Sequence, residues 1–183
     1  MVAAKHLFAA LGAAALAIQP QAAAAQGSCV TEAEVGAMAL YAMPQAIQAV
    51  RLGCSGQLSS NGYLARHGDE LIASYTALQD RNWPGAKSAL LKLVTSGLQQ
   101  QPSLENRGVN LDLIRQLPDN AVRPLVEAMV VQKLQPIIKP ESCGRIERVV
   151  EAIAPVQPEI AGKLIGVISG LVELKQPSIC PVD

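Results

Sequence analysis

Aromatic side chains are nearly missing from this chain: one Phe, three Tyr and one Trp in 183 residues. Sugar platforms and base-stacking surfaces need aromatic faces. Their shortage therefore argues against a glycan reader or a single-strand nucleic-acid binder. Charge is scarce too, at 16% of residues against about 25% in typical soluble domains. The formal net charge is zero, so nothing draws the chain to nucleic acid or to an anionic membrane surface. The only histidines are His6 and His67. The four cysteines, Cys29, Cys54, Cys143 and Cys180, contain no C-x-x-C and are spaced by 25, 89 and 37 residues. That spacing matches neither a zinc framework nor a dithiol redox motif. No G-x-S-x-G elbow, H-E-x-x-H or P-loop occurs. No catalytic residue, cofactor or metal site is assigned, and the reading leans away from an enzyme.

The most informative segment is Met1–Ala25, read as a cleaved secretory signal. Lys5 supplies the charged start, Leu7 to Ile18 form an apolar run of twelve residues, and Pro20 ends it. Ala23 and Ala25 meet the small-residue rule for cleavage, and a membrane span needs about 20 apolar residues. The expected mature domain is 26–183, a single unit. Without Lys5 it carries 14 basic and 15 acidic side chains, a net charge of −1. It keeps Tyr41, Tyr63, Tyr75, Trp83 and a single histidine. The alanine-rich signal and the lack of an Asn-x-Ser/Thr sequon favour a bacterial periplasm over a eukaryotic secretory route. The mature chain has no integral membrane anchor by this reading.

Apolar spacing is helical throughout and strand alternation is absent. The expected fold is all-α, an irregular bundle of six or seven helices with two disulfides. Thr31 and Glu34 form a capping box opening a helix toward Leu52. Leu40, Met43, Ile47 and Val50 hold one phase across Pro44, which reads as a kink or a tight corner. Residues 53–62 read as a loop. Asp69 is expected to cap a helix after Gly68, and Pro84 to sit at a first helical position. A short helix is expected over Leu111–Leu117. An amphipathic helix follows, its apolar stripe made of Val122, Leu125, Val126, Met129, Val130, Leu134 and Ile137. Ser142 should cap a helix to Ala154, and a last helix should run from Glu159 to Leu174. That last helix carries Gly162, Gly166 and Gly170 on one ridge with apolar residues around the rest, so it is placed at the centre of the bundle. Four cysteines behind an export signal imply two disulfides. The preferred pairing is Cys29–Cys54 and Cys143–Cys180. It assumes a hairpin of the last two helices and a sharp turn at Pro44, since an unbroken helix would hold Cys29 and Cys54 roughly 30 Å apart.

The densest polar cluster is Tyr63, Arg66, His67 and Asp69, with Glu70. It reads either as a small binding patch or as a solvent-exposed turn. The carboxylate pairs Glu32/Glu34, Asp69/Glu70 and Glu147/Glu151 sit at structural rather than catalytic spacing. The leading functional expectation is an exported, non-enzymatic protein that binds a protein or an envelope component. A carrier of small apolar ligands in a bundle cavity is the alternative, and a hydrolase using carboxylates or His67 ranks behind both.

Overall fold

The computed structural model describes residues 29–100, 115–172 and 178–181, with side chains of 98–100 left aside. Six α-helices make up the described chain: α1 (Glu32–Gly53), α2 (Tyr63–Thr76), α3 (Gln79–Gln100), α4 (Asp119–Leu134), α5 (Cys143–Ile153) and α6 (Pro158–Leu171). Two 3-10 turns, Gln135–Ile137 and Pro140–Ser142, join α4 to α5. No helix among the described residues is long and apolar enough to cross a membrane. The short helix expected from Leu111 lies mostly outside the described residues.

α1 starts where its capping box predicts. Thr31 accepts from the Glu34 amide, and Glu34 accepts from the Thr31 amide. It then runs unbroken through Pro44 to Gly53. A proline deletes one i→i−4 hydrogen bond. Here Pro44 is itself buried, and the residues on either side, Leu40 and Ile47, are fixed in one core cluster with Leu64 and Tyr75. Packing therefore holds a helix that the local sequence disfavours. The tight corner proposed at Pro44 is absent.

That continuity overturns the expected disulfides. The observed bridges are Cys29–Cys180 and Cys54–Cys143. A rod of 22 residues, about 33 Å long, separates Cys29 from Cys54, and a bridge requires Cα atoms within about 7 Å. The presumed hairpin of the last two helices is also absent: α5 packs on α2, whereas α6 packs on α1. Cys143 thus meets the turn after α1. Cys180 meets Cys29, where Val30 and Ile179 form an isolated parallel bridge through Val30 N–H to Ser178 O and Cys180 N–H to Val30 O.

The central helix is α1, in contact with α2, α3, α4 and α6. Around it lie three apolar clusters. Leu40, Ile47, Leu64 and Tyr75 join α1 to α2, with Val150 of α5 against them. Tyr41, Trp83, Ala86 and Val122 join α1 to α3 and α4. Val30, Val35 and Ala89 join the N-terminal bridge to α3, with Ile165 of α6 alongside.

The last helix is not central, contrary to the sequence expectation. Its glycine ridge lies directly on α1. A methyl group added at Gly162 would stand 2.6 Å from Leu40, and one at Gly36 would stand 2.7 Å from the carbonyl oxygen of Gly162. At Gly166 the added carbon would strike the backbone carbonyl of Glu32. The two backbones approach more closely than any side chain permits, as small-residue seams allow. The opposite face of α6 is exposed.

Two outcomes follow. Gly166→Ala gains helix propensity worth about 1 kcal/mol yet destabilises by roughly 1–3 kcal/mol through overpacking. Gly144→Ala, where nothing lies within 4 Å of the added carbon, stabilises by about 0.5–1 kcal/mol. Chemical denaturation followed by fluorescence of the single Trp83 measures both. Equal signs for the two variants would refute the seam. Second, graded reduction with alkylation mapping opens Cys29–Cys180 before Cys54–Cys143, because Cys54 and Cys143 are 0% and 1% exposed and reaction requires access to sulfur.

Candidate functional site

The polar cluster singled out from sequence sits on the first half of α2. The helix begins at Tyr63, earlier than Asp69. Gly68 is a buried helical residue rather than a breaker, and Asp69 is no cap. Gly68 is small because the Arg51 side chain of α1 crosses it, with Cδ 3.3 Å from the position a Cβ would take. Arg51 then reaches Asp69 at 2.5 Å. One turn back, the Tyr63 and His67 rings stack at 5.0 Å between centroids. His67 Nδ1 and a Glu70 oxygen stand 3.8 Å apart, beyond the hydrogen-bond reach that proton transfer uses. Arg66 is exposed on the same helix and has no ion pair among the described residues. An open depression of about 380 Å³ lies beside the patch, lined by Gln48, Arg51 and Leu52. The structure brings Tyr63 and His67 together and gives Asp69 to Arg51. What results is a solvated polar surface whose one tight ion pair joins α1 to α2.

The N-terminus of α2 has no side-chain cap of its own, because residue 62 is glycine. Its acceptor arrives from α5: the Leu64 amide donates to Glu147 Oε1 at 3.2 Å. Gly62 leaves the space that this carboxylate fills. Glu147 thus serves as a cap donated from 83 residues away, close in sequence to the Cys54–Cys143 bridge that carries α5 to this corner.

A second polar node ties α1 to α3. Glu34 Oε1 accepts from Ser88 Oγ at 2.6 Å and from Lys92 Nζ at 2.8 Å, while Oε2 accepts from Lys92 and from the Thr31 amide. Burial alone would raise the pKa of this carboxyl. The hydrogen bonds from Lys92, Ser88 and Thr31 outweigh it, and the pKa lies below the ordinary value. Ser88 and Lys92 both donate to the Glu34 carboxylate, so the trio fastens α1 to α3.

The third cluster contains two of the chain's five aromatic residues. Tyr41 and Trp83 lie 4.9 Å apart, tilted at 46°, and the Arg123 guanidinium covers the indole at 5.1 Å, a favourable cation–π arrangement. Arg123 also pairs with Asp80. The Tyr41 hydroxyl donates to Glu127 at 2.9 Å. Burial and this carboxylate push the phenol far above its usual value. Lys87, and after it the Trp83 indole N–H, hold Asp119 below the ordinary carboxylate range. The indole N–H reaches no hydrogen-bond geometry, so its pull is that of a nearby dipole. Every aromatic face here is covered by protein.

The remaining feature is the outer face of α6. Viewed down the axis, Ile160, Leu164, Val167, Ile168 and Leu171 lie opposite the glycine ridge. Leu164 is 50% exposed, Ile168 55% and Leu171 76%. A stripe of this width and composition ordinarily faces a core. Apolar residues all round this helix are the signal that the sequence offers, and by periodicity alone it points to burial. Among the described residues, no group of three or more His, Cys, Asp or Glu is placed to hold a metal ion.

The Glu34 node has a pH signature. A depressed carboxyl pKa adds stability that is fully present above the unfolded-state value and disappears as pH falls through the folded-state value. Glu34→Gln is therefore less stable than the parent at neutral pH, and the two converge in acid; a gap that persists in acid contradicts the ion-pair account. Glu147→Ala destabilises by about 0.5–2 kcal/mol, the magnitude of a lost cap, read as a shift in denaturation midpoint. In comparisons with known proteins, the chain matches no family model, no curated protein and no solved structure.

Proposed function

We propose that this is an exported, non-enzymatic protein that works by docking, through the outer face of α6, to a partner protein or a component of the cell envelope. The observation that carries the reading is that face. Ile160, Leu164, Val167, Ile168, Leu171 and Val172 are all between 45% and 76% exposed and form one contiguous stripe. The largest contiguous apolar patch on a folded protein is often functional, and scattered single apolar residues are not.

Export is supported by the Met1–Ala25 pattern and by two disulfides, which persist in oxidising compartments. A periplasmic or secreted location fits both. The polar groups support binding over catalysis. Glu34, Lys92, Asp80 and Arg123 are paired with one another across helices, and the His67 cluster is open to solvent.

A photo-crosslinking residue at Leu164 tests the reading, with a second at exposed Glu151 on α5 as control. In cells exporting the protein, covalent adducts form from position 164 and not from 151. Equal labelling at both positions, or none at either together with a native mass free of adducts, rejects docking through α6.

A further inference from the structure

We infer that the occupant of the α6 face is a second copy of this chain, paired antiparallel across a two-fold axis. This rests on the docking reading of α6 and names the partner. Ile160, Leu164, Val167 and Leu171 are spaced four, three and four apart, the period of a coiled-coil seam. An axis passing between Leu164 and Val167 sets Ile160 against Leu171 of the copy and Leu164 against its Val167. Every layer then pairs one leucine with one β-branched residue. The bulky Ile168 falls beside the small Ala161 of the copy.

Charge matches as well. Lys163 flanks the seam and is opposed, in this arrangement, to Gly170 of the copy. Gly170 has no side chain, and the carboxylate of Glu32 lies directly over it. Neither Lys163 nor Glu32 has an ion pair among the described residues. The two-fold therefore forms two Lys163–Glu32 pairs and opposes no like charges. Six side chains half to three-quarters exposed present on the order of 500–600 Å² per copy, so pairing buries about 1,000–1,200 Å², the lower edge of a specific interface. Lipid is the less suitable occupant. Helices that lie on membranes carry Lys and Arg on the polar face and aromatic anchors on the other, whereas α6 has Lys163 as its only basic residue and no aromatic.

Sedimentation equilibrium on the purified, oxidised chain is the test. A dimer is expected, and Leu164→Lys gives a monomer with unchanged helical circular dichroism. Lys163→Glu and Glu32→Lys each weaken the dimer about tenfold, and the double reversal restores it to within about threefold, as expected for two exposed pairs turned repulsive. Carbodiimide treatment joins the Lys163 and Glu32 peptides between chains. A monomer at the highest attainable concentration, or a dimer indifferent to Leu164→Lys, overturns self-pairing. So does flotation with phosphatidylglycerol vesicles that Leu164→Lys abolishes. A monomer that crosslinks from position 164 to another protein overturns self-pairing and leaves the docking reading intact. A monomer that gives no adduct at all defeats both.

Discussion

Everything in this bundle is arranged around one helix on which four others pack. α1 is covered by α2, α3, α4 and α6, and the three apolar clusters are three of its faces. A helix surrounded in this way is rigid for reasons unrelated to its own propensity. Pro44 would weaken an isolated helix by about 3 kcal/mol, yet here its ring is part of the packed surface. The outer helices are then positioned by what α1 presents to them: large side chains toward α2, aromatic and polar ones toward α3 and α4, and glycine toward α6.

The glycine face has the widest effect. Gly36 against Gly162 allows backbone to lie on backbone, so α6 meets α1 with only a narrow strip of its circumference. A helix joined by large interdigitating side chains would bury a broader stripe. Close approach along a thin ridge leaves the rest of α6 outside, and the rest of α6 is leucine, isoleucine and valine. The exposed apolar face is thus a geometric by-product of the close approach of α6 to α1.

What could be read in advance follows the range of each interaction. The capping box at Thr31 and Glu34 lies within four residues, and it is present as expected. The all-helical class was legible because periodicity is local and sustained. The start of α2 was not, since Gly62 offers no cap and the acceptor comes from Glu147 on another helix. Asp69 resembles a cap in sequence and is instead the partner of Arg51. The cysteine pairing failed for the same reason: it depends on whether α5 lies against α6 or α2, which no local pattern encodes. Gly162, Gly166 and Gly170 were legible as a packing ridge, but the step from ridge to buried helix assumed that a tightly held helix is covered on every side.

The two disulfides are nested, with the Cys54–Cys143 loop enclosed by Cys29–Cys180. A chain delivered N-terminus first into an oxidant presents Cys29 and Cys54 long before their proper partners. Those two thiols are the pair most at risk of joining wrongly, and the segment between them is α1. Once coiled, α1 is a spacer of about 33 Å that holds the early thiols out of reach of each other until Cys143 and then Cys180 arrive. For a chain exported as proposed, the capping box at its start and the apolar phase maintained through Pro44 would act in biogenesis as well as in the finished fold, keeping open the order in which the chain can be stitched.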